Sequence, residues 1–370
     1  MKPKLLGRFL VLIVIFMLVS QVSVQAKSVD AVRMPVFYVT DRQREGGNSN
    51  PTYNSKRRYA DGVEYGQCEI TTPSSLVAKD YFKLGWRAQK LKKDKAIADP
   101  VKSECREQSV FFEDVSSRLK NSDRVIVFVH GYNNSMDVAM ERAAELGLKF
   151  KAPVISYCWP SSEKLKAYIK DECNAEWSLL HFRKFLSDLE KAVGADRIII
   201  VSHSMGNRLV MWALNARAEL SDARQVAAPK YADIVMTSPD IDSGTFKNYS
   251  ENVCRNANRS WVLLSKRDKA LMASKFVHGR NRLGAATEDN VDVDWRQPPV
   301  VNELKTIEFT SLDKGFVGHS VRADLIFRLV KSGVTDVAGE PIKLVEEKAD
   351  NYSWYRVLSD KEKKRIQETK

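Results

Sequence analysis

Short apolar runs alternate with longer amphipathic stretches along most of this chain. Residues 124–129, 198–201, 233–237, 261–265 and 306–310 are of strand length and rich in β-branched residues, so they read as strands. Helix-length stretches at 136–150, 177–193, 208–217 and 321–330 lie between or after them. In the last of these, Val321, Leu325 and Leu329 recur at four-residue spacing, an apolar stripe suited to packing on a sheet. This alternation predicts an α/β fold: a mostly parallel, doubly wound sheet with helices on both faces. Upstream, 35–39 and 67–71 are edge-strand candidates in an accessory region over 27–121. The core spans 122–335. Residues 336–370 read as a polar tail, with Tyr352, Ser353, Trp354 and Tyr355 as candidates to dock back on the core.

The pattern changes character at 198–207, where an apolar β-branched run enters Ser202-His203-Ser204-Met205-Gly206. A strand that turns sharply into a helix lifts one serine hydroxyl above the sheet. This G-x-S-x-G-like sequence has that form, with serine in place of the first glycine and Gly206 expected to give the backbone room to turn. A serine hydroxyl is a poor nucleophile until a base takes its proton, so a carboxylate and a histidine are expected downstream, in that order. Asp268 follows the strand at 261–265, and His319 follows the strand at 306–310 through Gly315-Phe316-Val317-Gly318. Functional groups of doubly wound sheets gather at the carboxyl ends of the strands. Ser204, Asp268 and His319 are therefore the candidate triad.

An oxyanion hole would complete the site. The strand at 124–129 runs into His130-Gly131-Tyr132-Asn133, so the backbone N–H groups of Met205 and Tyr132 are the candidate donors. Competing assignments stand beside these. Asp268 can be read as a cap for a helix starting at Lys269, and Asp240 and Asp242 also follow a strand. His278 competes with His319. His130 reads as a structural residue beneath the oxyanion loop, and His203 as pointing away from substrate. His181 reads as a helix-surface or core histidine, and Arg142 and Glu145 as surface charges. Insertions at 159–176 and 269–303, the second carrying Arg280, Arg282 and Trp295, are expected to shape the pocket.

With 370 residues, 44% of them hydrophobic, there is ample material for a large core. The amino terminus carries Lys2, Lys4 and Arg8, then an apolar run over 9–19 and polar and small residues to Ala26. This reads as a secretory signal cleaved after Ala26, which would place the mature protein in the periplasm or outside the cell; an uncleaved anchor is the alternative. The net charge of +12 would fall to +9 without this segment, still basic enough to favour anionic partners. A basic cluster at 87–95 could approach an anionic envelope surface or form a solvated helix face. No interleaving of aromatic and basic residues points to nucleic acid. Export permits disulfides, and Cys158 with Cys173 and Cys68 with Cys105 are candidate pairs among five cysteines. No C-x-x-C or H-E-x-x-H spacing suggests a metal, and no cofactor is implied.

Several motifs together resemble an uncharacterised family of bacterial α/β hydrolases, esterase- or lipase-like. They are Val36-Phe37-Tyr38-Val39-Thr40-Asp41-Arg42, Phe128-Val129-His130-Gly131-Tyr132-Asn133, Trp159-Pro160-Ser161, His203-Ser204-Met205-Gly206-Asn207, Pro239-Asp240-Ile241-Asp242 and Asp268-Lys269-Ala270-Leu271. The resemblance implies the α/β-hydrolase fold with a serine nucleophile and no particular substrate. The expected chemistry is cleavage of a small-molecule or lipid carboxylic ester by acyl transfer. A lipase or phospholipase at an envelope surface and a catalytically silent binding protein are the alternatives.

Overall fold

The computed structural model describes residues 31–47, 50–60, 62–73, 100–164, 166–285, 304–313, 318–335, 342–349 and 352–368. The amino-terminal signal-like segment, the basic cluster at 87–95, Trp295 and Gly315 to Val317 lie outside them.

The strands, in chain order, are β1 (Ala31–Thr40), β2 (Arg42–Glu45), β3 (Thr52–Arg57), β4 (Glu64–Pro73), β5 (Pro100–Arg106), β6 (Val125–Val129), β7 (Val154–Cys158), β8 (Ile198–His203), β9 (Tyr231–Thr237), β10 (Ala257–Leu264), β11 (Leu304–Glu308), β12 (Leu344–Ala349) and β13 (Tyr352–Val357). The helices are α1 (Gln108–Arg118), α2 (Met136–Phe150), α3 (Tyr168–Trp177), α4 (Leu179–Val193), α5 (Gly206–Ala223), α6 (Ser243–Arg255), α7 (Lys269–His278), α8 (Ala323–Ser332) and α9 (Asp360–Glu368). Among the described residues, eleven strands form one sheet in the order β12-β13-β11-β10-β9-β8-β6-β7-β1-β4-β5, and β2 pairs with β3 separately. From β1 across to β13 every neighbouring pair is parallel; β4, β5 and β12 are joined by antiparallel pairing at the two edges.

The period-two geometry of a strand explains why β6 and β8 are apolar throughout. Val125, Val127 and Val129 face one core layer with Ile198 and Ile200; Ile126 and Phe128 face the other with Ile199 and Val201. On the first face pack Phe111 of α1, Phe182, Phe185 and Leu189 of α4, Leu209 of α5 and Phe246 of α6. On the second pack Met140 and Leu146 of α2 and Leu325, Ile326 and Leu329 of α8. Helices cover both faces, as the alternation predicts.

Several expectations need correction. The predicted helix at 177–193 is two helices, with Trp177 ending α3 and α4 starting after Ser178. The segment after 335, read as a polar tail, adds β13 parallel to β11, with Ile307 opposite Tyr355, and then β12 beyond it. Its charged side chains suit an edge that is half solvated. All five cysteines are free thiols. Cys68 lies opposite Ser103 while Cys105 lies opposite Gly66, so the two are diagonal across the β4–β5 ladder, farther apart than a disulfide spans. Cys158 is buried in β7 while Cys173 is exposed on α3. Burial also holds the Cys158 thiol up at about 11. Glu145, read as a surface charge, is mostly buried; burial pushes its carboxyl up to about 7, against the pull of Arg142.

Candidate active site

At the carboxyl end of β8 the chain turns into α5, and Ser204 sits on the turn in the left-handed region at φ 52°. A non-glycine residue there costs about 1–3 kcal/mol, a cost that persists only where the surroundings enforce the turn. They do so by hydrogen bonds. Ser204 N–H donates to the Thr237 carbonyl (3.1 Å), and its own carbonyl accepts from the N–H of Asp240 (3.2 Å) and of Asn207 (3.1 Å). The Asn207 amide donates to the carbonyls of Ser204 (3.0 Å) and Thr237 (3.1 Å), and its oxygen accepts from Ser202 Oγ (2.6 Å). Ser202 is thus more than a small residue in a glycine's place, because its hydroxyl orients the amide that pins the turn.

Gly206 has a role different from the one expected. The left-handed residue is Ser204, while a Cβ on Gly206 would lie 2.4 Å from the His130 carbonyl and 2.8 Å from that of Val129. Glycine here lets the start of α5 approach the backbone of β6. The same proximity brings the 130–134 loop beside the elbow.

That loop is held from below. The His130 ring stacks on Trp159 (centroids 4.9 Å apart, planes 11° apart), its two nitrogens face the carbonyls of Gly131 and Trp159, and Trp159 Nε1 donates to the His130 carbonyl at 2.8 Å. Fully buried Arg42 donates to the Asn134 carbonyl (2.7 Å) and pairs with Glu163 (3.0 Å). Asn134 Nδ2 donates to the carbonyls of Gly131 and Tyr132. Met205, the N-cap residue of α5, has an N–H that makes no backbone hydrogen bond among the described residues. A Cβ on Gly131 would meet Ser204 Cβ at 2.7 Å. Gly131→Ala is therefore expected to displace the serine or the loop, and any hydrolysis that passes through Ser204 should fall by about 10²–10³-fold, the usual cost of a lost oxyanion donor. Steady-state kinetics alongside circular dichroism would check it, with little change in the spectrum.

Asp268 ends the loop after β10 and is fully buried. Its Oδ1 accepts from Leu271 N–H (2.9 Å) and caps α7, while Oδ2 accepts from His319 Nδ1 at 2.7 Å. The carboxylate thus makes both contacts at once, one with each oxygen. Holding Nδ1–H this way leaves Nε2 of His319 as the basic nitrogen. Burial opposes protonation of His319, but the charge and hydrogen bond of Asp268 outweigh it, so its pKa lies above the ordinary 6.5. The His319 ring lies 4.6 Å from that of His203, the residue preceding Ser204. Burial, then the charge of His319, holds His203 well below the usual histidine range, so this neighbour stays neutral. Ser204 Oγ takes no hydrogen bond among the described residues; catalytic contacts of this kind often tighten only with substrate bound.

The competing residues are otherwise engaged. Asp240 accepts from Ser274 Oγ (2.7 Å) and from Tyr168 OH, and lies 3.4 Å from Arg282 Nε. Asp242 caps α6 through Thr245 N–H (2.7 Å). His278 ends α7, with Nδ1 on the Ser274 carbonyl (2.9 Å) and Nε2 on Glu172 (2.7 Å). His181 sits 3.1 Å from buried Asp41. The structure brings Asp268 and His319 together beside the Ser204 turn and brings none of these to His319 by hydrogen bond. What the sequence left unread is the supporting role of Asn207, Trp159, Arg42 and Asn134. Three of them lie within the quoted motifs and Asn134 directly follows one, yet they are legible as supports only once the strands are adjacent. Among the described residues no group of three or more His, Cys, Asp or Glu side chains is placed to hold a metal ion.

A parallel sheet wound with helices on both faces, with a strained serine at the turn after a central strand, defines an α/β hydrolase. The chain belongs to the family of alpha/beta hydrolases of unknown function (DUF900), whose profile matches residues 103–324, more than half of it. No curated protein matches it by sequence. Among solved structures it is similar to a Staphylococcus aureus protein provisionally assigned as an esterase, at 14% identity over 58% of this chain and 77% of that one, TM-score 0.33. It is also similar to a hyperthermophilic esterase of the archaeon Pyrobaculum calidifontis, at 12% identity over 82% and 83%, TM-score 0.28. A third is the thermostable carboxylesterase EstE1 from a metagenomic library, at 14% identity over 58% and 81%, TM-score 0.29. These distant likenesses add nothing to what topology and family membership establish.

Proposed function

We propose that this protein is a serine hydrolase that cleaves carboxylic esters by acyl transfer. The observation that carries the reading is the 2.7 Å bond from His319 Nδ1 to buried Asp268, set beside a serine forced into a left-handed turn. In this reading Ser204 Oγ attacks the ester carbonyl while His319 Nε2 takes its proton and returns it to the leaving alkoxide. Asp268 holds the imidazole in the productive tautomer and stabilises the imidazolium. The N–H groups of Met205 and Tyr132 receive the oxyanion. Water then repeats the sequence on the acyl-enzyme and releases the acid. Labelling with a fluorophosphonate probe tests this: wild-type protein is expected to label, and folded protein that fails to label would remove the serine-nucleophile reading.

The pH dependence follows from His319. A protonated imidazole cannot accept the Ser204 proton, so kcat/KM on a short soluble ester is expected to fall as pH drops through the His319 pKa. Because Asp268 raises that pKa, the midpoint is expected above the ordinary histidine value. Replacing Asp268 by Asn removes the charge and should move the midpoint of the residual activity to lower pH. A pH–rate profile of both proteins checks the direction.

A further inference from the structure

The helix that Asp268 caps carries an unusual outer face. On α7, Leu271 and Ser274 point inward and are buried, while Met272, Phe276 and Val277 are 50%, 91% and 58% exposed. With exposed Ala273 they fall at i, i+1, i+4 and i+5, one continuous side of the helix. Lone exposed apolar residues are ordinary, but three large ones together on a ten-residue helix are not. Around them the surface is basic. Lys266, Arg267, Lys269 and Arg280 are exposed and Lys275 is half-buried; the single acidic residue of this stretch, Asp268, is buried against His319.

We propose that the outer face of α7 is a docking surface for an anionic lipid bilayer. An apolar strip ringed by lysine and arginine matches a surface that offers acyl chains below and negative headgroups above. Across residues 266–280 five lysines and arginines stand against one buried acid, with Glu172 of the neighbouring α3 bonded to His278; this basic excess is the complement of such a surface, whereas a second copy of this chain would bring the same excess against it. Among the described residues no helix is long and apolar enough to cross a membrane. Docking through α7 would set the loop that holds Asp268 at the bilayer, and Ile169 of α3, 67% exposed, follows Tyr168, whose hydroxyl lies 3.0 Å from Ser274 Oγ on α7. For the substrate it implies, an ester drawn from the lipid surface, this inference rests on the proposed hydrolase reading; the binding itself does not.

The test is co-sedimentation with vesicles of phosphatidylcholine alone and of phosphatidylcholine mixed with phosphatidylglycerol. Wild type, Ser204→Ala and the double variant Phe276→Ser/Val277→Ser would be compared, each also sized by analytical ultracentrifugation without lipid. Wild type and Ser204→Ala are expected to bind the anionic vesicles, more weakly at high salt, and the double variant to bind at least about tenfold less. The double variant should keep its melting temperature and its labelling by fluorophosphonate. Equal binding by the double variant, or no preference for anionic vesicles, would overturn the proposal. So would a wild-type dimer that the double variant dissociates. Binding that is lost in the double variant, in a protein that hydrolyses no ester, would leave the docking surface standing and remove the hydrolase reading alone.

Discussion

Replacing Ser204 with alanine is expected to lower kcat for ester hydrolysis by about 10⁶-fold, down to what transition-state binding provides without a nucleophile. The change removes one hydroxyl oxygen that makes no hydrogen bond among the described residues. It leaves the pinning bonds of the turn, which run through backbone groups and Asn207. The fold should therefore persist with little change in melting temperature, since the truncation removes no hydrogen bond among the described residues and leaves those that hold the turn. Measured kcat, fluorophosphonate labelling and thermal melting together distinguish loss of a nucleophile from loss of structure. A variant that still hydrolyses the ester at an appreciable fraction of the wild-type rate would show that the reaction does not pass through Ser204.

Asp268→Asn is expected to reduce kcat by about 10⁴-fold, the effect of a carboxamide that favours the wrong imidazole tautomer and cannot stabilise the imidazolium. Asparagine still caps a helix, so α7 and the fold should survive. The informative control is Asp240→Asn. Asp240 is bonded to Ser274 and Tyr168 and pairs with Arg282, a buried cation whose Nε and Nη2 make no hydrogen bond among the described residues. Neutralising it strands that cation, so a stability loss of about 3 kcal/mol is expected, with kcat of the folded enzyme changed by less than about tenfold. If the two variants exchanged these phenotypes, Asp240 would be the acid of the site. Denaturant titration and kinetics on the same preparations separate the outcomes.

The supports of the site show where reading the chain reaches its end. His130 and Trp159 lie 29 residues apart, yet each ring binds the other's backbone carbonyl. Arg42, from the start of the described chain, reaches Asn134 because β1 pairs with β7, which pairs with β6. Spacing along the sequence carries no trace of such contacts, since they depend on which strands become neighbours.

By itself the sequence determined the alternation of strands and helices, and hence the class of fold. It also determined the serine turn and the placing of Asp268 and His319 after successive strands. These are local properties, because the period of apolar residues and the small residues of a turn act over a few positions of chain. Only the tertiary structure decided that residues 344–357 join the sheet, that the cysteines stay apart, and that Asp268 rather than Asp240 or Asp242 meets the histidine. All three acids follow strands and all three accept hydrogen bonds; what separates them is the direction each carboxylate faces once β9, β10 and β11 lie side by side.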